Sequence, residues 1–333
     1  MEGKKVSVIV CSFNSEKFIG RCLASVGEQS HKEIELIVVD NGSSDRSREI
    51  VRREFPEAKL IENRENKGFA RANNQGIELA SGDFFLFLNA DAFLDKDYLL
   101  NALKPFSLDP NIGMVSGKIL RFDGETIDST GEFVGRSRKV VERGYGKRDE
   151  GSYDESGYIF SVCGACALYR REVLERVKVF GEVFDEDFFS FFEDLDLGWR
   201  ANLFGFRGYY TPDAICYHFR GGEVRERSFL GRRSLLMGRE SELKYHIVKN
   251  RWLTIIKNDR LIDFLRDLPF ILIRDVAIFF ALLVFDPKVL LRLIKEGFPL
   301  IKTAFKKRKR IKEIAVRNPG LKRLGGYPPK KRG

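Results

Sequence analysis

The sequence predicts an α/β fold: a mainly parallel sheet with helices on both faces, followed by a C-terminal helical region. Three observations carry this. Over the first 120 residues short apolar runs alternate with amphipathic stretches, the pattern of βαβ units. Clusters of Asp, Asn, Gly and Ser close several of those runs and place polar groups at strand carboxyl ends. After Arg220 the alternation stops, and residues 241–304 read as successive helices rich in Leu, Ile and Phe.

Val6 to Cys11 is an unbroken apolar run and reads as a buried strand. Ile19, Cys22, Leu23 and Val26 then fall at i, i+3, i+4 and i+7, one face of a helix. Ile34 to Val39 is the next strand, closed by Asp40-Asn-Gly-Ser-Ser-Asp45, a turn cluster able to cap the following helix. Lys59–Glu62, Phe84–Leu88 and Gly113–Leu120 supply further strands, with helical patterns at Phe69–Ala80 and Asp97–Phe106. Residues 121–157 are polar and Gly-rich, an insertion expected as a mobile loop or short hairpin. Ile159–Tyr169 reads as one strand, Glu193–Phe204 as a helix stopped by Gly205, and Ala214–His218 as a last apolar segment. Ligands of such sheets sit beyond the strand carboxyl ends, so Asp40 and Asn89–Asp91 are expected to converge on one crevice.

With 43% hydrophobic and 32% charged residues the chain can bury a large core, which excludes a disordered, collagen-like or disulfide-scaffold protein. The net charge of +10 is unevenly placed. The last 47 residues, from Pro287, carry +14, leaving −4 for residues 1–286. Leu290, Leu291, Ile294, Phe298 and Ile301 form an apolar stripe there, with Lys288, Arg292, Lys295 and Lys302 mostly off it. A basic amphipathic helix of this kind suits an anionic bilayer surface, and no nucleic-acid module accompanies it. The most apolar stretch, Leu268–Phe285, is interrupted by Pro269, Arg274 and Asp275. Its unbroken part is 10 residues, about half of what a spanning helix needs. Five cysteines in apolar runs are expected as reduced thiols, and the first apolar run is too short for a signal segment; both place the chain in a cytosol.

Four segments carry candidate chemistry. Asn89-Ala90-Asp91 ends a buried strand with oxygen donors suited to Mg²⁺ or Mn²⁺, or serves as an ordinary helix cap. Glu193 and Asp194 follow two phenylalanines, which suits a desolvated general base, although acids at a helix start also complement its dipole. His218 matters chemically only if it joins Asp91 around one ion. Cys163-Gly-Ala-Cys166 has redox spacing but lacks a second pair of ligands.

Together these motifs resemble the inverting glycosyltransferases of family 2, which have the GT-A fold, and their details look most like the rhamnosyltransferase branch. The segments are Val6–Asn14, Val38–Asp45, Asn66–Gly76, Leu88–Asp91, Gly164–Arg171 and Phe189–Leu197, about two thirds of the chain in order. The resemblance implies that Cys11, Phe13 and Asp40 hold the donor nucleoside, with Asp40 accepting from the pyrimidine N–H. It places Gly68 close to the nucleotide, with Arg71 fixing that loop, and puts Asn89, Ala90 and Asp91 at the donor diphosphate. Asp91, with His218, would bind the Mg²⁺ or Mn²⁺. Asp194 would be the base, Glu193 would orient it or the acceptor, and Gly164 and Ala165 would face the acceptor. Where many relatives have Asp-x-Asp this chain has Asn89, a poorer ligand than a carboxylate.

The expected organisation is a catalytic domain over 1–222, a helical membrane-surface region over 223–310 and a flexible basic tail over 311–333. The expected reaction moves L-rhamnose from dTDP-rhamnose to a glycan, with a polyprenyl-diphosphate-linked acceptor at the cytoplasmic face of a membrane. Another UDP- or GDP-sugar is the alternative donor. A nucleotidyltransferase would need a Gly-rich phosphate loop with a catalytic Lys, which Cys11–Lys17 does not supply. A non-catalytic binding protein would tolerate loss of the acids at 91 and 194.

Overall fold

The computed structural model describes residues 3–220 and 240–316. Apolar runs become strands as their period dictates: β1 (Val6–Ser12), β2 (Ile34–Asp40) and β4 (Phe84–Asn89) pair in parallel, with β3 (Lys59–Glu62) at the edge beyond β2. Val8, Val10, Leu86 and Leu88 enter the core on one face of the sheet, and Ile9, Phe85 and Phe87 enter the core on the other. The helices α1 (Ile19–Gly27), α2 (Ser47–Glu54) and α3 (Phe69–Leu79) link these strands, and α1 buries the expected Ile19, Cys22, Leu23 and Val26. Just ahead of α2, Asp45 accepts from the Ser47 N–H (3.0 Å) and hydroxyl (2.6 Å), while Arg46, at the cap position itself, makes no side-chain cap.

Beyond β4 the sheet is mixed rather than mainly parallel. β11 (Cys166–Arg170) runs antiparallel to both β4 and β6 (Ile112–Arg121), β12 (Arg207–His218) is parallel to β6, and β10 (Gly157–Ile159) closes the edge. The single strand expected over 159–169 is two strands in different places, β10 and β11, separated by residues 160–165. Because the chain reaches β11 through this connection and not through a crossover helix, it can enter in the opposite direction. β5 (Ala92–Leu94) and β7 (Ile127–Ser129) pair at the carboxyl ends of β12 and β6. The insertion carries β7 and the hairpin of β8 (Glu132–Val134) with β9 (Val140–Glu142). Asp128, Ser129 and Thr130 are fully buried, so this segment is built into the domain. The remaining helices are α4 (Tyr98–Leu103), α5 (Arg171–Arg176) and α6 (Glu193–Leu203).

The C-terminal helices are α7 (Ser241–Asn258), α8 (Leu261–Phe285), α9 (Pro287–Arg292) and, after a π turn at Leu293–Gly297, α10 (Phe298–Val316). Buried ion pairs fasten them to the sheet domain. Lys257 of α7 meets both Asp185 and Asp196 (2.8 Å to the latter), and Lys307 of α10 meets Asp185 (2.5 Å) and Asp187 (2.9 Å). Arg138 of the insertion meets Asp259 (2.7 Å) and Asp267 (2.9 Å). One cation of the basic run is thus consumed inside the protein, which corrects the view of the +14 surplus as wholly available to a surface. The expected boundary at 222/223 lies outside the described residues. The boundary at 310/311 falls within α10, and the tail from 317 onward lies outside the described residues.

α8 also differs from expectation. It is one 25-residue helix running through Pro269, about 37 Å long at 1.5 Å per residue, and by length and composition it could cross a membrane. Its polar residues interrupt the sequence but share one helical face: Asp267 is fully buried against Arg136 and Arg138, and Asp275 pairs with Arg251 (3.0 Å). Leu272, Ile273, Val276, Phe279, Phe280, Leu283 and Val284 are left exposed. The stripe expected after Pro287 is split: Leu291, Ile294 and Phe298 are exposed, whereas Leu290 turns inward against the cluster holding Tyr245 and Val289.

Candidate active site

The sheet register gathers the first site residues. Ser12 lies beside Asp40 and Cys11 beside Asn89, so the ends of β1, β2 and β4 form one rim. Asp40 is buried; its Oδ1 accepts from the Ser43 N–H (3.0 Å) and lies 3.5 Å from Arg48 Nε, while its buried Oδ2 has no hydrogen-bond partner. Burial, with Asp40 and Glu193 nearby, pushes the Cys11 thiol up to about 12, so it is neutral. Phe13 is 46% exposed just past β1, leaving ring surface open at the rim. Gly42, in the turn after Asp40, has φ +85°, and a Cβ there would lie 2.6 Å from the Glu65 backbone.

Gly68 begins α3 with φ +85°, and a Cβ on it would lie 2.6 Å from both the ring and the carbonyl oxygen of Phe189. The close approach that requires glycine here is to Phe189. Arg71, one turn further, lies 3.7 Å from Glu186, so it ties α3 to the segment leading into Glu193 and Asp194.

At the end of β4, Asp91 Oδ1 faces His218 Nε2 at 3.2 Å, and the Phe219 N–H donates to the Asp91 carbonyl (3.0 Å). The structure thus brings His218 beside Asp91. Its Nδ1 is held by Asp128 Oδ2 (2.9 Å), a fully buried residue of the insertion, and Arg220 Nε lies 2.6 Å from the other Asp128 oxygen. Burial opposes a charge on His218, but Asp128 and Asp91 outweigh it and push its pKa up to about 9. Among the described residues no group of three or more His, Cys, Asp and Glu side chains is arranged to hold a metal ion. A Mg²⁺ or Mn²⁺ here would be met by the Asp91 carboxylate, and by the His218 imidazole only once the Nε2 proton that faces Asp91 had been displaced. Asn89 Nδ2 lies 3.5 Å from His218 Nε2, and Ala90 is buried.

Glu193 and Asp194 open α6. Asp194 Oδ2 accepts from the Gly164 N–H (2.9 Å) and Oδ1 from the Leu195 N–H (2.7 Å). A Cβ on Gly164 would lie 2.9 Å from Asp194 Oδ2, so the glycine is what permits this contact. The next residue, Ala165, accepts from the Asn89 N–H (3.0 Å). The Gly164-Ala165 pair therefore bridges the base candidate and the strand end that carries Asp91. Burial raises Asp194 above the usual carboxylate range, and burial together with Asp194 pushes Glu193 well above it. Glu193 Oε2 is buried without a hydrogen-bond partner.

All five cysteines are free, and Cys163 and Cys166 lie in a buried turn whose ends meet through Cys166 N–H to Cys163 O (3.2 Å). Burial raises the Cys163 thiol well above its ordinary value, which disfavours its thiolate. Sequence reasoning missed Asp128, because Ile127-Asp-Ser129 sits in a segment without clear periodicity.

Comparison with known proteins adds three findings. Residues 7–178, just over half of the chain, match the model of glycosyl transferase family 2. The poly-beta-1,6-N-acetyl-D-glucosamine synthase of Staphylococcus epidermidis is 25% identical over 214 residues, 64% of this chain and 49% of that protein. The Staphylococcus aureus enzyme of the same name matches over the same share. The chain thus spans about half the length of the curated relatives it matches. Among solved structures, the mannosyltransferase PcManGT from Pyrobaculum calidifontis with GDP-Man and Mn²⁺ aligns at TM-score 0.53 and 20% identity, covering 95% of this chain and 87% of that one. TarS 1-349 of S. aureus with UDP-GlcNAc aligns at 0.52 and 22% identity, covering 77% and 68%. These likenesses show a GT-A fold.

Proposed function

Since the chain belongs to glycosyl transferase family 2 and so draws on nucleotide-sugar donors, we propose that it transfers the sugar to a saccharide hydroxyl with inversion at the anomeric carbon. The observation that carries this is the Gly164-Ala165 bridge, which fixes Asp194 relative to Asp91. The Asp40 Oδ2 left without a partner accepts the ring N–H of a pyrimidine, and Cys11 and Phe13 flank it. Asp91, joined by His218 once its proton is displaced, would hold a Mg²⁺ or Mn²⁺, which would supply positive charge at the donor diphosphate. Asp194 takes the proton of the acceptor hydroxyl, and that oxygen attacks the anomeric carbon from the side opposite the diphosphate. Glu193 keeps its proton and donates to the acceptor or to Asp194, while Gly164 and Ala165 form the wall between them.

The motif pattern favours dTDP-rhamnose as donor. UDP-GlcNAc is the second reading, because the staphylococcal relatives are N-acetylglucosamine polymer synthases and TarS was solved with UDP-GlcNAc. A thermal-shift panel of dTDP-rhamnose, UDP-GlcNAc and GDP-Man, each with and without Mn²⁺, separates them. One donor is expected to raise the unfolding midpoint above the others, and Mn²⁺ to enlarge that shift.

The acceptor is proposed to be linked to a polyprenyl diphosphate and to meet the protein at the anionic, cytoplasmic face of a membrane. Only 11% of the apolar window of α8 is buried, and the exposed Lys288, Lys295, Lys302, Lys306, Lys309 and Arg310 follow it in the chain. Apolar surface with adjacent cations suits anionic lipid. Deleting everything after Pro287 would also remove Lys307 from Asp185, so point changes are the cleaner test. Replacing Phe279, Phe280, Leu283 and Val284 with Ser is expected to abolish co-sedimentation with phosphatidylglycerol vesicles; undiminished binding would remove the membrane from this reading.

A further inference from the structure

The turn that presents the two catalytic acids is not held by its own domain alone. Phe189, Phe191 and Phe192 have φ of 65°, 72° and 69°, three side-chain-bearing residues in the left-handed region within four positions. Such a backbone persists only when its surroundings over-determine it. Asn250 of α7, fully buried, points its Nδ2 at three carbonyls of this turn: Phe188 (2.9 Å), Ser190 (2.7 Å) and Phe191 (2.7 Å). Lys249 donates to the Asp187 carbonyl (2.6 Å), and the His246 ring stacks on Phe189 with centroids 5.0 Å apart. On its other side the turn meets the donor half, where the Ala70 N–H donates to the Phe189 carbonyl (3.2 Å) beside Gly68.

Resting on the reading of Asp194 as base, we infer that Asn250 is a positioning residue of the transfer reaction: its amide clamps the left-handed turn 188–192 and so sets where Glu193 and Asp194 stand. Only a donor group serves here. A flipped amide or an aspartate would set an oxygen against three carbonyl oxygens, and the Asn250 Oδ1 is the atom left without a partner. The C-terminal helices are then part of the catalytic apparatus, since α7 reaches from α6 to α10 and to the lysines that meet Asp185. A base shifted by about 1 Å loses on the order of 10²-fold in rate without any change in how the nucleotide is held.

The test is Asn250→Ala in the full chain, read as release of nucleoside diphosphate from the panel donor giving the largest thermal shift, with Asp194→Asn alongside. The expected result is kcat lowered on the order of 10²-fold, with donor KM and the donor-induced midpoint shift unchanged. A kcat close to wild type, or a donor KM that rises as kcat falls, overturns the clamp. Should Asn250→Ala not fold, Lys249→Met carries the test, since it releases the same turn at Asp187 and predicts the same split between kcat and KM. Wild-type turnover in Asp194→Asn would instead overturn the base assignment, a failure distinct from that of the clamp.

Discussion

Asp194→Asn is expected to lower transfer on the order of 10²- to 10⁴-fold while the protein folds and binds nucleotide as before. The substitution keeps the shape of the side chain and an oxygen for the Gly164 N–H, but removes the basic oxygen that would accept the hydroxyl proton. Burial raises Asp194, so the acid limb of the wild-type rate profile falls at a pH above the ordinary carboxylate value, and this limb disappears in the variant. Glu193 should behave differently. Burial and Asp194 push its pKa well up, which favours the protonated, donating form; Glu193→Gln preserves that donor and is expected to retain more activity than Asp194→Asn. Equal loss in the two variants would mean that the roles are wrongly divided.

The second large effect is on stability. Lys257→Met is expected to cost about 3 kcal/mol in urea unfolding, because it leaves Asp185 and Asp196 with less compensation in a site closed to water. Arg200 still pairs with Asp196 (3.0 Å) and Lys307 with Asp185, which keeps the loss near the lower end for a broken buried pair. Burial works against the Asp185 charge, yet Lys257 and Lys307 outweigh it and hold its pKa well below the usual range. A lowered carboxylate stabilises the fold above its ordinary pKa and loses that contribution as pH falls toward the lowered value, so the attachment of α7 and α10 weakens only in acid. A loss below about 1 kcal/mol, typical of an exposed pair, would show that these lysines do not fasten the helices.

That Asp40 and Asn89–Asp91 share one rim was legible because both sit where local pattern changes. Asp40 and Asp91 follow unbroken apolar runs, and a strand end in a parallel sheet is where a ligand-binding group belongs. His218 was legible for the same reason, at the end of β12. The direction of β11 was not legible, since an apolar run carries no sign of whether a neighbour runs parallel or antiparallel. Nor were Asp128 and Asn250. Asn250 lies about 60 residues from the carbonyls that it holds, and nothing in the periodicity of α7 marks one buried amide among the others. Lys307 read as one cation of a solvated run because its partners, Asp185 and Asp187, are distant in sequence. The apolar face of α8 was hidden by the same projection: Arg274 and Asp275 interrupt the line of sequence but lie on the same side of the helix as the buried Asp267.

The claim on which everything else depends is that a nucleoside diphosphate and a divalent ion sit between Asp40 and Asp91. The most direct measurement extends the thermal-shift panel to Asp40→Ala and Asp91→Asn, using dTDP with and without Mn²⁺. The wild type should show a shift that Mn²⁺ enlarges, Asp91→Asn should keep the nucleotide part and lose the Mn²⁺-dependent part, and Asp40→Ala should lose most of both. Identical shifts in all three proteins would place the nucleotide elsewhere and contradict the site.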